Sequence, residues 1–161
     1  MAVVDFGQKF LINHQGQIFK PYYPADQDDL PVISGLDLSD LKVYGRLESS
    51  YPGRTSVDSA PFSAVMQVLK LGQKQGSILP NHLIRQISVD RQIGLTIYAF
   101  DRLKAISLGY SDYIEKYHML AKLFSYLKRQ QSIFDIDRID LNSLQRIVVN
   151  PIKIESLEQG A

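Results

Sequence analysis

Apolar and polar residues alternate with a period of two through the middle of the chain, which is the spacing of a half-buried β-strand. The alternation predicts three strands, at Ile84–Val89, Leu95–Phe100 and Lys104–Leu108. The segments between them, Asp90–Gly94 and Asp101–Leu103, are short enough to be hairpin turns. We therefore expect a meander of antiparallel strands at the centre of the sequence.

Shorter strand patterns, separated by turn residues, occupy the N-terminal part of the chain. Two apolar runs, Phe10–Ile12 and Ile18–Phe19, flank a turn that contains Gly16, and this arrangement predicts a β-hairpin. A short buried stretch closed by a glycine is predicted at Leu30–Gly35. From Tyr44 to Asp58 the chain is rich in Ser, Gly, Arg and Pro, so we expect a surface loop there.

Two segments instead follow the 3.6-residue period of an amphipathic helix. The first runs from Pro61 to about Gln75, with Ser59 as its predicted cap and Gly72 or Gly76 as its predicted stop. Its apolar stripe consists of Phe62, Val65, Met66 and Leu69.

Gly109–Asp112 is expected to open the second helix, with Ser111 as its cap and Asp112 at its positive end. Its stripe consists of Tyr113, Tyr117, Leu120, Phe124 and Leu127. Its basic residues are Lys116, Lys122, Lys128 and Arg129. We interpret these cations as a solvated helix face, and a surface for phosphate or an acidic partner is the alternative.

The chain ends in a further pair of predicted strands. Phe134 and Ile136, then Ile139 and Leu141, alternate with a one-residue slip at Asp137–Arg138, which predicts a strand with a bulge. A turn at Asn142–Gln145 leads to a last strand, Arg146–Val149, ended by Asn150–Pro151. Residues 152–161 are expected to form a weakly ordered tail.

These elements predict one α+β domain over residues 1–151, with a curved, largely antiparallel sheet of short strands and two helices packed against it. A chain of 161 residues is long enough to bury a stable hydrophobic core without disulfides or bound metals.

Composition then excludes several classes of protein. The chain has 18 Lys plus Arg against 17 Asp plus Glu, a net charge of +1, so no global field attracts a polyanion and nucleic-acid binding is not expected. It has no cysteine, which excludes disulfides and Cys-based zinc sites. Its longest apolar run, Ile97–Phe100, is far shorter than a membrane-spanning helix requires.

Groups that could support catalysis or metal binding are few, and each has an ordinary structural interpretation. Glu115 and His118 have the i, i+3 spacing of di-iron ligands, but no second pair accompanies them on another helix. The acidic run Asp26–Asp29 lacks the glycine and glutamate of a calcium loop. Asp135 and Asp137 would share one face of a strand, which more often marks its solvent side than a catalytic pair. We therefore predict no enzyme, no metal and no cofactor.

Of all the features in the sequence, the last predicted strand points most directly to a function. Ile147–Val149 is β-branched and close to the end of the ordered chain, so no later segment obviously covers its outer side. An uncovered edge presents unpaired N–H and C=O groups, which can accept a strand from a partner. The alternative is an edge protected by the tail or by Pro151.

The order of these elements resembles the C-terminal β-domain of the bacterial cell-division protein family FtsQ, called DivIB in some lineages. The resemblance covers roughly Val3 to Val149. Its carriers are Gly16 before Ile18–Phe19, Leu30–Gly35 (similar to the family's Leu-Pro-x-x-x-Gly), Ile106–Gly109 (a strand that ends in Leu-Gly), Lys116, and Ile136–Leu141 (a strand that ends in Asp-Leu).

The resemblance implies a non-catalytic scaffold of the divisome. Members of the family are single-pass proteins whose β-domain lies on the periplasmic side of the inner membrane at the division septum, so we expect a membrane anchor upstream of this chain. The implied partners are proteins of FtsB and FtsL type. The implied site is the C-terminal edge, comprising Asn142, Ser143, Leu144, Gln145, Arg146, Ile147, Val148 and Val149.

One departure from the family pattern affects this site. After Asp-Leu the family commonly carries Arg and an aromatic residue, whereas this chain has Asn142–Ser143. Two side chains that would anchor a partner are therefore missing, and Arg146 is the candidate that could replace the charge.

Two further classes of function stay open at this stage. A ligand-binding or sensory module would need a pocket between the sheet and the helices, lined by some of the nine tyrosines. A small hydrolase would need an acid–base pair in a pocket, for example Asp135 or Asp137 beside a histidine.

Overall fold

The computed structural model describes residues 1–26, 29–41, 61–102, 104–132 and 136–151. Several features of the sequence prediction lie wholly or partly outside these ranges: the acidic run Asp26–Asp29, the Tyr44–Asp58 loop, the Ser59 cap, the turn at Asp101–Leu103, Phe134 and Asp135, and the tail at 152–161.

Nine strands form one open, curved sheet in the order β3-β2-β1-β4-β5-β6-β7-β8-β9. The strands are β1 (Ala2–Asp5), β2 (Lys9–Ile12), β3 (Ile18–Pro21), β4 (Val32–Ser34), β5 (Ile84–Asp90), β6 (Gly94–Ala99), β7 (Lys104–Gly109), β8 (Ile136–Ser143) and β9 (Arg146–Pro151). Among the described pairings five are antiparallel and three are parallel. The predicted α+β class, with a largely antiparallel curved sheet, is confirmed.

The predicted N-terminal hairpin is β2 and β3, and the predicted central meander is β5, β6 and β7. The buried stretch before Gly35 is β4, whose Ile33 is fully buried. β4 is only three residues long and runs parallel to both of its neighbours, β1 and β5. It thereby joins the first three strands to the last five.

The two predicted helices are α1 (Pro61–Gly72) and α2 (Tyr113–Arg129). Residues 38–41 are also helical, and Asn81–Leu83 forms a 3₁₀ turn. Both predicted apolar stripes are buried. They pack with the inner face of the sheet into one core cluster.

α1 ends three residues before the predicted boundary because of a tertiary contact. The side-chain amide of Asn81 donates to the Leu69 carbonyl over 2.9 Å and so satisfies an acceptor near the end of the helix. A Cβ at Gly72 would lie 1.9 Å from Asn81 Oδ1, so the glycine makes room for this side chain.

The predicted cap of α2 was wrong. Asp112, not Ser111, is the residue at the N-cap, and its backbone is left-handed with φ 58°. The hydroxyl of Ser111 donates to Asp112 Oδ2 over 2.7 Å instead of accepting from the first turn. The side chain of Ser111 is therefore engaged by its neighbour and does not cap the helix.

Candidate partner-binding edge

The predicted site residues all lie on the hairpin formed by β8 and β9. Asn142 and Ser143 end β8, Leu144 and Gln145 form the turn, and the rest lie in β9. The turn is thus shorter than predicted, because Ser143 already pairs with Arg146. β9 also extends beyond Val149 to Pro151, which lies opposite Ile136.

Local hydrogen bonds shape this hairpin. Asp140 Oδ1 accepts the Asn142 N–H over 2.9 Å, and Ser143 Oγ accepts the Gln145 N–H over 3.2 Å. The register shifts between Ile136 and Arg138, as the bulge prediction required, and again between Asp140 and Ser143. Such bulges increase the local twist of an edge hairpin.

β9 presents alternating side chains to the core and to solvent. Ile147 and Val149 are half-buried and pack against the core cluster. Arg146 and Asn150 are exposed, and Val148 is 37% exposed. β8 is the only described strand that pairs with β9, so within the described residues the outer side of β9 is an edge of the sheet.

Asn142 is packed against the end of β7. Gly109 has φ +65°, and a Cβ there would lie 3.0 Å from Asn142 Oδ1 and 3.7 Å from Lys116 Nζ. A side chain at Gly109 would therefore crowd Asn142 and would be in ordinary contact with Lys116. Gly94, at the start of β6, also packs against Gly109, since a Cβ at Gly94 would lie 2.4 Å from the backbone of Gly109.

Lys116 lies beneath this end of the hairpin, and its assignment to a solvated basic face was wrong. The side chain is 1% exposed, and Nζ donates to the Leu108 carbonyl over 2.6 Å. Burial lowers the pKa of Lys116, whereas the carboxylates of Asp112 and Asp140 act in the opposite direction. The ammonium group therefore fastens α2 to the end of β7, next to Asn142.

The opposite edge of the sheet, β3, differs in chemistry. Tyr22 donates its N–H inward to Lys9, and N–H groups alternate along a strand, so the backbone groups of Pro21 and Tyr23 face outward. Proline has no N–H, and the N–H of Tyr23 is taken by Asp26 Oδ2 over 2.7 Å. Neither Pro21 nor Tyr23 therefore offers a free outward donor to a partner strand.

The other side chains considered for catalysis or metal binding do not lie together in one site. His14 contacts Gln73 through Nδ1 at 2.6 Å, and Asp137 is exposed. Across the described ranges, no group of three or more His, Asp and Glu side chains is placed to hold a metal ion. None of the helices described is long and apolar enough to span a bilayer.

The chain is thus an α+β domain with an open, mixed sheet. Its edge strand β9 is accessible to a partner strand. The family model "Cell division protein FtsQ/DivIB, C-terminal" matches residues 2–142. The chain therefore belongs to the FtsQ/DivIB family of cell-division proteins, through that family's C-terminal domain.

Two curated relatives, both named cell division protein FtsQ, align along almost the whole chain. The protein of Geotalea daltonii is 27% identical over 154 residues, which cover 94% of this chain and 50% of the relative. That of Syntrophotalea carbinolica is 29% identical over 149 residues, which cover 92% and 48%. The chain thus spans about half the length of the curated relatives it matches. The family match ends at Asn142, so β9 lies beyond it.

Proposed function

We propose that this domain is a non-catalytic scaffold of the bacterial division machinery and that it binds a partner by strand addition to β9. The partner is a division protein of FtsB or FtsL type, which contributes an extended segment. Main-chain hydrogen bonds would supply affinity, and the exposed side chains of β9 would set the register and the fit. Membership of the FtsQ/DivIB family supports the division role.

The contrast between the two edges of the sheet carries this proposal. N–H groups alternate in direction along β9, so two or three of the five residues from Arg146 to Asn150 direct an N–H outward, and proline appears only at the last position. At the end of β3 proline and an occupied N–H remove two successive outward donors. Proteins commonly protect sheet edges in the way that β3 does, and an edge without that protection is suited to accept a strand.

Side chains around β9 would supply specificity. Arg146 and Val148 are exposed on one face of the strand, and Leu144 is exposed at the turn. Arg146 would attract an acidic residue of the partner in place of the Arg-aromatic pair that Asn142–Ser143 replaces. Val148 and Leu144 offer apolar contact to alternate side chains of the added strand.

The proposed site of action is supported by membership of the family and by the share of the relatives that the chain covers. We propose that this domain works on the periplasmic side of the inner membrane at the septum, as the C-terminal part of a longer, membrane-anchored protein. The curated FtsQ relatives are about twice as long as this chain, and they align with roughly half of their length.

Proline substitutions in β9 test the strand-addition model. N–H groups alternate in direction, so one of Val148 and Val149 directs its N–H outward, where proline leaves the pairing with β8 intact. We expect one of Val148→Pro and Val149→Pro to keep the wild-type Tm while its affinity for the partner's extracytoplasmic segment falls at least about tenfold, or about 1.4 kcal/mol. Isothermal titration calorimetry measures the affinity.

The matched control is Val148→Thr, which keeps the N–H, the β-branched shape and nearly the same volume. It should bind almost as tightly as the wild type. A proline variant that keeps both the wild-type Tm and the wild-type affinity would rule out strand addition at β9.

A further inference from the structure

Three elements of the domain meet at the point where β7 ends. The ammonium group of Lys116, on α2, donates to the carbonyl of Leu108 over 2.6 Å. The side chain of Asn142, at the end of β8, packs against Gly109, the next residue along β7. A Cβ built on Gly109 would lie 3.0 Å from Asn142 Oδ1 and 3.7 Å from Lys116 Nζ, so both groups adjoin the same small space. The last two residues of β7 therefore connect α2 to the β8–β9 hairpin.

Asp140 connects the ammonium group to the backbone of the hairpin. Burial lowers the pKa of Lys116, whereas the carboxylates of Asp112 and Asp140 raise it, so both acids stabilise the ammonium group electrostatically. Asp140 Oδ1 also accepts the N–H of Asn142 over 2.9 Å, at the point where the register between β8 and β9 shifts. One carboxylate thus interacts with Lys116 and shapes the backbone at the end of β8.

A charged group at this position calls for an explanation other than stability. The side chain of Lys116 is 1% exposed, and an ammonium group can donate three hydrogen bonds. Among the described residues, the carbonyl of Leu108 is the one acceptor within hydrogen-bond distance of it. Replacing a buried charge by an apolar side chain of similar volume is often neutral or stabilising. The better-attested use of such a charge is to fix one arrangement of the elements around it.

The orientation of the hairpin decides where an added strand would lie. β8 is the only described neighbour of β9, so the direction of β9 follows that of β8. Arg146, the first residue of β9, pairs with Ser143, one residue beyond Asn142. A rotation of the end of β8 would therefore move the outward N–H groups of β9, and main-chain hydrogen bonds weaken steeply when their geometry is poor.

We propose that Lys116 is a positioning residue for the partner-binding edge. Its ammonium group fixes the end of β7 through Leu108 and the end of β8 through Asp140, and it thereby holds the β8–β9 hairpin in the orientation that presents β9 to an added strand. This preorganisation lowers the cost of ordering the hairpin when a partner binds. The proposal rests on strand addition at β9 for its effect on a partner, whereas its effect on the hairpin is measured in the free domain.

Lys116→Met and Lys104→Met form a matched pair of variants. Both lysines are buried, and each donates to a main-chain carbonyl, Lys104 to that of Ile136 at the opposite end of β8. Each substitution removes one buried ammonium group and leaves a side chain of similar length. Of the two lysines, only Lys116 lies at the end of β8 where the hairpin turns.

Amide hydrogen exchange in the free, ¹⁵N-labelled domain measures the effect on the hairpin. We expect the amides of residues 142–148 to exchange at least about tenfold faster in Lys116→Met than in the wild type, relative to the amides of β5 and β6. In Lys104→Met, faster exchange should be confined to the other end of the hairpin, at residues 136–138 and 149–150.

Isothermal titration calorimetry with the extracytoplasmic segment of the FtsB-type partner measures the effect on binding. Affinity should fall at least about fivefold in Lys116→Met and stay at the wild-type value in Lys104→Met. Asp140→Asn keeps an acceptor for the N–H of Asn142 but removes the charge. It should therefore speed up hairpin exchange in the wild type and add little in Lys116→Met.

Wild-type exchange at residues 142–148 in a folded Lys116→Met domain would overturn the proposal. Faster exchange spread evenly over the sheet would do the same, because it would show a general loss of stability. If Lys116→Met does not fold, Lys116→Gln takes its place, since glutamine keeps a donor for the Leu108 carbonyl but not the charge. A failure of strand addition would appear in the β9 proline variants alone, because the exchange experiment contains no partner.

Discussion

At the residue scale, Gly35 and Lys116 show that a sequence motif can mark a residue without giving the structural reason for it. Both belong to the family pattern, but only the structure gives the reasons. Gly35 has φ +85°, and a Cβ there would lie 2.0 Å from the carbonyl oxygen of Val89. Lys116 was assigned to solvent because it is charged, yet it lies at i+3 from Tyr113 and next to Tyr117, on the buried stripe. That position was the signal that sequence reasoning missed.

Gly35→Ala should destabilise the domain more than a left-handed backbone alone explains. Gly7 is the matched control, because it has φ +91° and a Cβ there would meet no heavy atom within 4 Å. We expect Gly7→Ala to cost about 1–2 kcal/mol. Gly35→Ala should cost at least about 2 kcal/mol more, since β4 and β5 must separate locally. Urea unfolding measures both, and equal losses would mean that the contact with Val89 relaxes freely.

At the scale of elements, the sequence predicted most strands and the two long helices but not the helical turn at residues 38–41, and tertiary contacts moved the ends of the predicted elements. Alternation located β5, β6 and β7 because each buries one face against the same core. The end of α1 is in contact with Asn81, which is distant in sequence, so no local pattern predicts where the helix ends. The last strand was predictable from its β-branched run Ile147–Val149, and its role as a binding site stays a prediction. The contact of Asn142 with Gly109 next to Lys116 could not be predicted from the sequence, because it joins β8, β7 and α2.

The buried tyrosines of α2 should make the domain sensitive to alkali. Burial raises the pKa of Tyr113 and of Tyr117. The folded protein therefore keeps both protons at a pH where the unfolded chain, with a tyrosine pKa of about 10, releases them. The stabilisation is complete below pH 10 and is lost as the pH rises above it, by up to about 2.7 kcal/mol per pH unit for the two groups.

Thermal unfolding of the wild type and of Tyr113→Phe/Tyr117→Phe between pH 8 and 11.5 tests this expectation. The Tm of the wild type should fall more steeply above about pH 10. The opposite shift of Lys116 is common to both proteins and cancels in the comparison. Parallel curves would mean that the two hydroxyl groups ionise as readily in the folded domain as in the unfolded chain.

At the scale of the whole molecule, the sequence predicted the class of fold but not the order of the strands. Hairpins are local, so β2–β3, β5–β6–β7 and β8–β9 could be read from adjacent segments. The parallel pairings β1–β4, β4–β5 and β7–β8 join distant segments, and nothing in a local pattern specifies them. For the same reason, the sequence did not predict that β3 would form the other edge.

The protection of the β3 edge leads to a prediction about self-association. Ile18 is 37% exposed and Phe19 is 50% exposed on this strand, so an apolar surface accompanies the edge. Pro21→Val adds an outward donor and should produce concentration-dependent dimers in sedimentation velocity. Pro24→Val, in the turn beyond the strand, should stay monomeric. If both variants sediment as the wild type does, Pro21 does not protect the edge.

The three-residue strand β4 has a consequence for how the domain folds. It is the one strand, among those described, through which β1–β3 and β5–β9 share a sheet, and both of its pairings are parallel and non-local. Loop closure makes such pairings slow relative to hairpins. The antiparallel groups β1–β3, β5–β7 and β8–β9 should therefore form early, and the parallel pairings, among them the insertion of Val32–Ser34 between β1 and β5, should be the late events that make them a single domain.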